Sequence, residues 1–354
     1  MKKNFILALT IKFFLITLFV ILSNSMSYSY PDGITGRTLR TSTSGCGGCH
    51  GSRDATVGVL ISGPSSVTAG QTYTYSVNIN KSGKTGAGVD ISARSGVLNI
   101  ISSTLHKSGV ELTHNSNITM SGSQITLQFS YTAPLSPVVD TIYATGLATN
   151  SNGGESGDLW NWATNFAVTV NPPAVILNLT EFIEGLYSSG TNTMVSDSVT
   201  VYLRNSSSPY ALIDSAKTVL SSSGNGNYSF SNGVNGTPYY IVVKHRNSLE
   251  TWSSTTQSFT GNSLSYNFTT ASTQAYGNNL KQINSSPLTF GIFSGDQNQD
   301  GFVNLSDIVN IFNDANAFVS GYVSSDINGD NITDLNDVVI TLNNSNLFVA
   351  KVTP

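Results

Sequence analysis

The two cysteines of this 354-residue chain lie in a single short segment, residues 44–51, which reads SGCGGCHG. Two glycines separate Cys46 from Cys49, and His50 follows directly. Cys-x-x-Cys-His is the attachment signature of c-type haem, in which two thiols bond to the haem vinyl groups and the histidine binds iron. The segment therefore predicts one covalently attached haem, held by Cys46, Cys49 and His50.

The same residues are open to other chemistry. A disulfide between Cys46 and Cys49 suits an oxidising compartment, but it leaves His50 without a role, and so short a closed loop adds little stability. A zinc site needs four ligands, and the chain has no second cysteine pair. A thioredoxin-like redox motif needs a strand–helix–strand context that the flanking sequence lacks.

A haem at this segment also needs a protein cover and a second axial ligand. Residues 31–56 contain few apolar side chains, so we expect the haem to lie against the following β-domain or to stay exposed to solvent. The ligand on the other side of the iron would come from His106, His114 or Met120, and the sequence does not choose between them.

A duplicated loop near the C-terminus holds the second set of candidate ligands. Residues 296–307 (DQNQDGFVNLSD) and 326–337 (DINGDNITDLND) align with oxygen-bearing side chains at loop positions 1, 3, 5, 9 and 12. An EF-hand-type loop has calcium ligands at these positions and a backbone carbonyl at position 7. The predicted ligands of two calcium ions are Asp296, Asn298, Asp300, Phe302, Asn304 and Asp307, and then Asp326, Asn328, Asp330, Ile332, Asp334 and Asp337. The alternative is a pair of acidic surface loops without metal.

A helix is predicted after each loop, because apolar residues recur there at the i, i+3, i+4, i+7 spacing of one helix face. These residues are Leu305, Ile308, Val309 and Phe312 in the first helix, and Leu335, Val338, Val339 and Leu342 in the second. We expect the two apolar stripes to pack on each other.

With this doubled loop and helix, residues 295–354 resemble a type I dockerin module. The resemblance implies a calcium-dependent helical fold, and a cohesin-like or other cell-surface protein as partner. The pairs Leu305-Ser306 and Leu335-Asn336 stand where that family usually has Ser-Thr at its cohesin contact. Such modules also end secreted proteins of bacteria that have no cellulosome.

The N-terminal part carries a second resemblance. Besides the CGGCHG start, it contains KTGAG at 84–88, GLATN at 146–150 and GDLW at 157–160. In these motifs, residues 30–170 resemble the choice-of-anchor V family of secreted bacterial proteins, itself distantly similar to Reeler domains. The resemblance implies a modular surface protein that commonly carries Cys-x-x-Cys-His.

Short segments typical of strands lie between the two sets of candidate ligands. They alternate apolar and polar residues or are rich in β-formers, with Gly, Pro, Asn and Ser between them. The segments are 73–79, 96–101, 124–129, 165–170, 198–203, 227–230 and 239–243. Asn171-Pro172-Pro173 marks a domain boundary, because paired prolines cannot continue a strand ladder.

The predicted fold is mainly β, with two tandem antiparallel β-sandwiches followed by a small α-helical, dockerin-like calcium module with paired EF-hand-type loops. The expected parts are a signal peptide (1–29), a Gly/Ser-rich Cys-x-x-Cys-His segment (30–56), a choice-of-anchor V-like sandwich (57–171), a transthyretin-like or carboxypeptidase-regulatory-like sandwich (174–284) and the module (291–354).

Composition and the N-terminus indicate export. Lys2 and Lys3 precede an apolar run and then small residues, which is the layout of a secretory signal peptide. We expect a secreted or outer-surface protein without a membrane span after signal cleavage. Charged residues are only 10% of the chain and the net charge is −4, so there is no electrostatic case for a nucleic-acid partner.

No catalytic constellation stands out in the sequence. The close acidic pairs outside the calcium loops are Glu155 with Asp158, in a turn, and Glu181 with Glu184, which we expect to face solvent. The favoured function is electron transfer or redox sensing with a redox partner. The alternatives are a haem-free, calcium-dependent adhesion or matrix component, and a dockerin-bearing accessory of polysaccharide degradation that binds glycans.

Overall fold

The computed structural model describes residues 30–354, so the predicted signal peptide lies outside the described residues. The chain divides into two compact units, and the boundary along the chain falls between Pro172 and Pro173. Its secondary structure is mainly β, with a few short helices. Across residues 30–354, no helix is long and apolar enough to cross a membrane.

The described part of the N-terminal unit contains one helical turn and twelve strands. They are α1 (Gly47–His50), β1 (Gly58–Ser62), β2 (Ser66–Thr68), β3 (Thr72–Asn80), β4 (Gly86–Ala93), β5 (Val97–Ile100), β6 (Leu105–Ser108), β7 (Glu111–His114), β8 (Ile118–Thr119), β9 (Gln124–Thr132), β10 (Val138–Thr149), β11 (Leu159–Trp162) and β12 (Phe166–Asn171). One sheet has the order β1-β3-β9-β5. The other has the order β2-β12-β10-β4-β7-β6, with β11 paired to β10 and β8 paired to β4.

Both sheets of this unit contribute to one hydrophobic core. Val77 and Leu127 are directly opposite each other on β3 and β9, and both are buried. Ile91 and Val168 of the other sheet belong to the same cluster of buried side chains. Strand residues alternate between core and surface, as they do in a sheet with one solvent face.

The central strand β4 is an exception to this alternation, because all of its residues are buried. Residues 36–38 cover its outer face. The amide of Arg37 donates to Asp90 Oδ2 at 2.7 Å, and the Thr38 and Ser92 hydroxyls are 2.6 Å apart. The Gly/Ser-rich segment is therefore attached to the sheet by polar contacts to buried side chains.

The C-terminal unit contains twelve further strands, two helices and three 3-10 turns. They are β13 (Val175–Thr180), β14 (Tyr187–Ser188), β15 (Thr193–Met194), β16 (Asp197–Asn205), β17 (Leu212–Leu220), β18 (Asn225–Phe230), β19 (Pro238–Lys244), β20 (Thr251–Trp252), β21 (Gln257–Ser258), β22 (Ser263–Asn267), β23 (Lys281–Ser285), β24 (Leu288–Gly291), α2 (Leu305–Asn316) and α3 (Leu335–Ser345), with turns at Glu184–Leu186, Ser272–Gln274 and Tyr276–Asn278.

The sheets of this unit are small. One has the order β18-β13-β22, and another has the order β17-β16-β19-β20 with β21 paired to β19. The strands β14 and β15 form a two-stranded pair, as do β23 and β24. Each strand segment predicted from the sequence coincides with a strand, in whole or in most of its length.

Glu181 departs from the expectation that it faces solvent. It follows β13 directly and is fully buried, and neither carboxylate oxygen has a hydrogen-bond partner within residues 30–354. Burial raises its pKa well above the ordinary value. The carboxyl group is therefore protonated in the folded protein at pH values where the unfolded chain is ionised.

Replacing Glu181 with Gln is expected to stabilise the C-terminal unit at pH 8 and to flatten its pH dependence. The raised folded-state pKa means that stability is complete below the unfolded value of about 4.3 and falls by about 1.4 kcal/mol per pH unit above it. Urea midpoints at pH 5 and pH 8 measure the effect. Asp314→Asn is the control, because the Asp314 side chain keeps contact with solvent. Equal pH slopes in Glu181→Gln and the parent would contradict this reading.

Candidate functional site

The Cys-x-x-Cys-His segment folds as one helical turn. The amides of Cys49 and His50 donate to the carbonyl oxygen of Cys46 at 3.2 and 3.0 Å. The turn is α1, and Cys46 is its N-cap residue. Both thiols are free. A helical turn places residues three and four apart on one face, so the two thiols and the imidazole are brought close together.

Trp160 of β11 packs against this turn. Its Nε1 donates to the carbonyl oxygen of Gly51 at 2.9 Å, and its ring is buried. A Cβ atom on Gly45 would lie 2.3 Å from the Trp160 ring, and one on Gly47 would lie 3.3 Å from it. The glycines of the motif therefore allow the turn to approach the indole closely.

Cys46, Cys49 and His50 all line one cavity of about 300 Å³. β4 and β10 also line it: Leu147 supplies apolar side-chain surface together with Pro31 and Ile34, whereas the side chains of Ala87 and Val89 are buried in the core of the unit. The structure thus brings the three motif residues against the sheet of the same unit. Of the three residues that the sequence offers as a second axial ligand, His114 lines this cavity, whereas His106 and Met120 do not.

The imidazole of His50 is held toward a buried carboxylate. Its Nδ1 lies 3.4 Å from Asp158 Oδ2, and Asp158 Oδ1 accepts from the amide of Asn150 at 3.0 Å. Nδ1 has no hydrogen-bond partner among residues 30–354, so the contact with Asp158 is one of proximity; a carboxylate at this nitrogen is the usual partner of a histidine that binds a metal through Nε2. Asp158 is a residue that the sequence analysis treated as part of an ordinary turn.

The electrostatics of the cavity disfavour thiolate chemistry. Burial, with a further contribution from the Asp90 charge, raises the pKa of Cys46 to about 12. A reactive redox cysteine has instead a lowered pKa. Asp90 itself is buried, its Oδ1 has no hydrogen-bond partner within the described residues, and burial raises its pKa to about 7. Arg37 lies in the same cavity wall and supplies a positive charge.

The two C-terminal loops share one hydrogen-bond pattern around position 12. Asp307 Oδ1 accepts from the amides of Gln297 and Asn298 at 2.9 and 3.2 Å, and its Oδ2 accepts from that of Asn304 at 3.0 Å. Asp337 repeats these contacts with the amides of Ile327, Asn328 and Asp334 at 2.7, 3.0 and 2.9 Å. Both carboxylates are buried, and each completes a capping box at the start of its helix.

The side chains of most other predicted ligands accept hydrogen bonds from the backbone of their own loop. Asn298, Asp300 and Asn304 each accept from the amide two residues later, at 2.9, 2.9 and 2.7 Å. Their counterparts in the second loop, Asn328, Asp330 and Asp334, do the same. In the backbone hydrogen bonds near position 7, the acceptors are the carbonyls of Gly301 and Asn331 and not those of Phe302 and Ile332.

The first residue differs between the loops. Asp296 is buried with no hydrogen-bond partner for Oδ1 among the described residues, and burial, followed by the Asp307 charge, raises its pKa to about 7. Asp326 instead has both oxygens bonded to backbone amides, and Arg246 Nη2 lies 3.8 Å from Oδ2. An orphaned buried carboxylate oxygen is what a cation would satisfy in the first loop.

Within residues 30–354, no three His, Cys, Asp or Glu side chains are grouped as for a metal ion. The predicted aspartate ligands of each loop, such as Asp296, Asp300 and Asp307 in the first, are therefore not gathered as around one ion; the other predicted ligands are Asn side chains and backbone carbonyls. Oxygen donors of this mixed kind suit Ca²⁺, which takes carboxylate, amide and carbonyl oxygens. The residues of the first loop therefore fit the ion by donor type and by the unpartnered oxygen of Asp296.

The expectation that the two apolar helix stripes pack on each other is wrong for most of their residues. The buried positions of α2 are Asp307 and Ile311, and those of α3 are Asp337, Thr341 and Asn344. The face that carries the position-12 aspartate points inward, because its carboxylate bonds to the loop backbone. The opposite face is exposed: Leu305, Val309, Phe312, Leu335, Val339 and Leu342.

A segment that the sequence analysis passed over, residues 245–248, contacts both loops. Asn247 Nδ2 donates to the Asp326 carbonyl at 2.8 Å, and the Asn247 carbonyl accepts from the amide of Gly295 at 2.8 Å. The Ser248 carbonyl accepts from Gln299 Nε2 at 3.2 Å. These residues follow β19, so the β-rich part of the C-terminal unit holds the loops in place.

A serine, a histidine and an aspartate form a hydrogen-bonded row in this segment. His245 Nδ1 lies 2.9 Å from Ser248 Oγ, and its Nε2 lies 3.1 Å from Asp197 Oδ2. All three residues are buried, and burial lowers the pKa of His245. Since a substrate cannot reach a fully buried serine, the row is a structural network and not a catalytic triad.

No protein-family model matches the chain, and no curated protein matches it. Solved structures give low-scoring similarities. One is the CARDB domain of a Pyrococcus furiosus protein in complex with di-metal ions, at 21% identity and a TM-score of 0.20 over 32% of this chain and 91% of that one. Another is the PKD domain of an M14-like peptidase from a Thermoplasmatales archaeon, at 15% identity and a TM-score of 0.22 over 32% and 91%. A third is Escherichia coli alpha-2-macroglobulin, at 17% identity and a TM-score of 0.23 over 43% and 10%. Similarities at these scores do not identify a shared function.

Proposed function

We propose that this is an exported protein that carries one covalent c-type haem in its N-terminal unit for electron transfer or redox sensing. The observation that carries the proposal is the joint placement of Cys46, Cys49 and His50 in the lining of one cavity, which Ile34 and Leu147 also line. On this proposal each unit has a β-sandwich, and a dockerin-like module with two calcium ions follows the second one.

The residues around the cavity suit such a group. Cys46 and Cys49 would tether it, and His50 would bind the iron through Nε2, with its Nδ1 held toward Asp158. Pro31, Ile34 and Leu147 offer apolar contact, and the positive charge of Arg37 suits the anionic propionates. A haem bound in this way accepts and donates single electrons.

Haem attachment should depend on both cysteines. When the full chain is produced with a cytochrome c maturation system, we expect a Soret band and a haem stain that survives denaturing electrophoresis, because thioether bonds resist denaturation. Cys46→Ala combined with Cys49→Ala should remove both signals. His50→Ala should abolish the native spectrum even where some haem remains attached.

The control for this experiment is His106→Ala, which changes a histidine on the same sheet outside the cavity. A colourless parent protein whose mass shows only a Cys46–Cys49 disulfide would overturn the haem proposal. It would leave the haem-free adhesion or matrix component as the better description.

The C-terminal module is proposed to dock a partner, a cohesin-like or other cell-surface protein. The support is a pair of matching exposed apolar faces, in which Leu305 and Leu335 are 70% and 67% exposed and Phe318 and Phe348 are each 90% exposed. Large exposed apolar side chains grouped in this way mark interaction surfaces. A role in polysaccharide degradation is the second candidate, and a glycan or cohesin pull-down with the full chain distinguishes it from adhesion.

A further inference from the structure

Resting on the proposed haem function, we infer that His114 is the second axial ligand, so that the iron is bound by two imidazoles. His114 is the last residue of β7 and lines the same cavity as Cys46, Cys49 and His50. No other histidine of residues 30–354 besides His50 lines that cavity. Of the three candidates that the sequence offers for the second axial ligand, His106, His114 and Met120, this placement favours His114.

The imidazole of His114 is oriented by the backbone of the neighbouring strand. The amide of Val89 donates to His114 Nδ1 at 3.0 Å, and Nδ1 also lies 3.2 Å from the Val89 carbonyl oxygen. Across the described residues, no hydrogen bond uses Nε2. Ligation through Nε2 requires the proton on Nδ1, which would then donate to the Val89 carbonyl in place of accepting the Val89 amide.

A glycine makes room for this ring. A Cβ atom on Gly88 would lie 2.8 Å from His114 Cε1 and 3.2 Å from Nε2. Any larger residue at position 88 would therefore displace the edge of the imidazole that carries Nε2.

The test is the spectrum of the haem-loaded full chain. The parent protein should be low-spin in both oxidation states, as expected for two imidazole ligands. His114→Ala should lose the low-spin signal in electron paramagnetic resonance and bind carbon monoxide readily when reduced. Added imidazole should restore the low-spin spectrum, because it occupies the vacated position.

Two further variants complete the test. His114→Met should remain low-spin with a raised reduction potential, since thioether ligation raises the potential of a haem. His106→Ala should leave the spectrum unchanged. If His114→Ala fails to fold, Gly88→Ala gives a milder displacement of the same ring and should produce a mixed-spin spectrum.

The outcomes separate the two proposals. A covalent haem whose spectrum is the same in His114→Ala and His114→Met as in the parent would overturn the assignment of His114 and leave the haem proposal standing. A parent protein with no covalent haem would overturn both. Loss of the low-spin signal in His106→Ala, but not in His114→Ala, would place the ligand elsewhere.

Discussion

Chelation of calcium is expected to remove most of the helical circular dichroism contributed by α2 and α3 and to lower the melting temperature of the C-terminal unit. Asp296 and Asp307 are buried at the first loop, and the Asp307 charge contributes to the raised pKa of Asp296. Calcium would convert this repulsion into coordination, so that binding free energy appears as folding free energy. At a calcium concentration 1,000 times Kd, each site would contribute about 4 kcal/mol.

The matched variant is Asp296→Asn with Asp326→Asn. Asparagine removes the negative charge but keeps one oxygen, which can accept the Gly301 amide in the first loop and one of the two amides, those of Gly329 and Asn331, that Asp326 accepts in the second. This choice leaves the capping boxes at Asp307 and Asp337 intact, whereas alanine at position 12 would weaken the helices with or without calcium.

We expect the double variant to bind calcium weakly in calorimetry and to melt like the parent in EDTA. The parent should show two sites. Asp314→Asn, which changes a carboxylate of α2 outside the loops, should behave like the parent in both conditions. A C-terminal unit that is equally helical and equally heat-stable with and without EDTA would contradict the calcium proposal.

The local features of this fold could be predicted from the sequence because they depend on spacing alone. Alternation and turn residues located the strands, and the paired prolines coincide with the division between the units. The doubled loop pattern located α2 and α3 with their starts, since the same aspartates and asparagines that could hold calcium also cap the helices.

Features that depend on how distant segments pack could not be predicted in this way. Helical spacing identified the apolar residues of α2, but Asp307 decides which face turns inward, because its carboxylate accepts amides from Gln297 and Asn298. Alternation along β13 continues from the buried Leu177 and Leu179 to Glu181, but its charged side chain led to the expectation of a solvent position. The two histidines lie at the same end of the β6–β7 hairpin, where His114 pairs with Leu105 and His106 with Thr113, so only the packing of the unit shows that His114 lines the cavity and His106 does not.

Arg246→Met is expected to destabilise the C-terminal unit by about 3–5 kcal/mol, which is the usual cost of removing one partner from a buried ion pair. Arg246 Nε donates to Asp197 Oδ2 at 3.0 Å, and both side chains are largely buried. The guanidinium also lies 4.6 Å from the centre of the Tyr322 ring and donates to the Asp326 carbonyl at 2.7 Å. It therefore joins β16, where Asp197 lies, to the second of the two C-terminal loops.

The effect should depend on pH in a definite direction. Burial alone would raise the pKa of Asp197, but hydrogen bonds from His245 and Tyr322 and the positive charge of Arg246 outweigh it and hold the pKa below its usual range. A lowered folded-state pKa gives stability that is present above the unfolded value of about 3.9 and is lost as the pH falls below it. Without Arg246 the pKa is lowered less, so the variant should lose less stability on acidification than the parent.

Urea unfolding of the full chain at pH 7 and pH 3 measures both effects, followed through the transition of the C-terminal unit. Arg204→Met is the matched control: Arg204 lies 5.6 Å from the centre of the Trp252 ring and, within residues 30–354, has no acidic partner. Its replacement should cost less at pH 7 and leave the acid dependence unchanged. Asp197→Leu combined with Arg246→Met should recover part of the lost stability, because it removes the uncompensated buried carboxylate. Equal losses in Arg246→Met and Arg204→Met, with equal acid dependence, would mean that Arg246 contributes only packing.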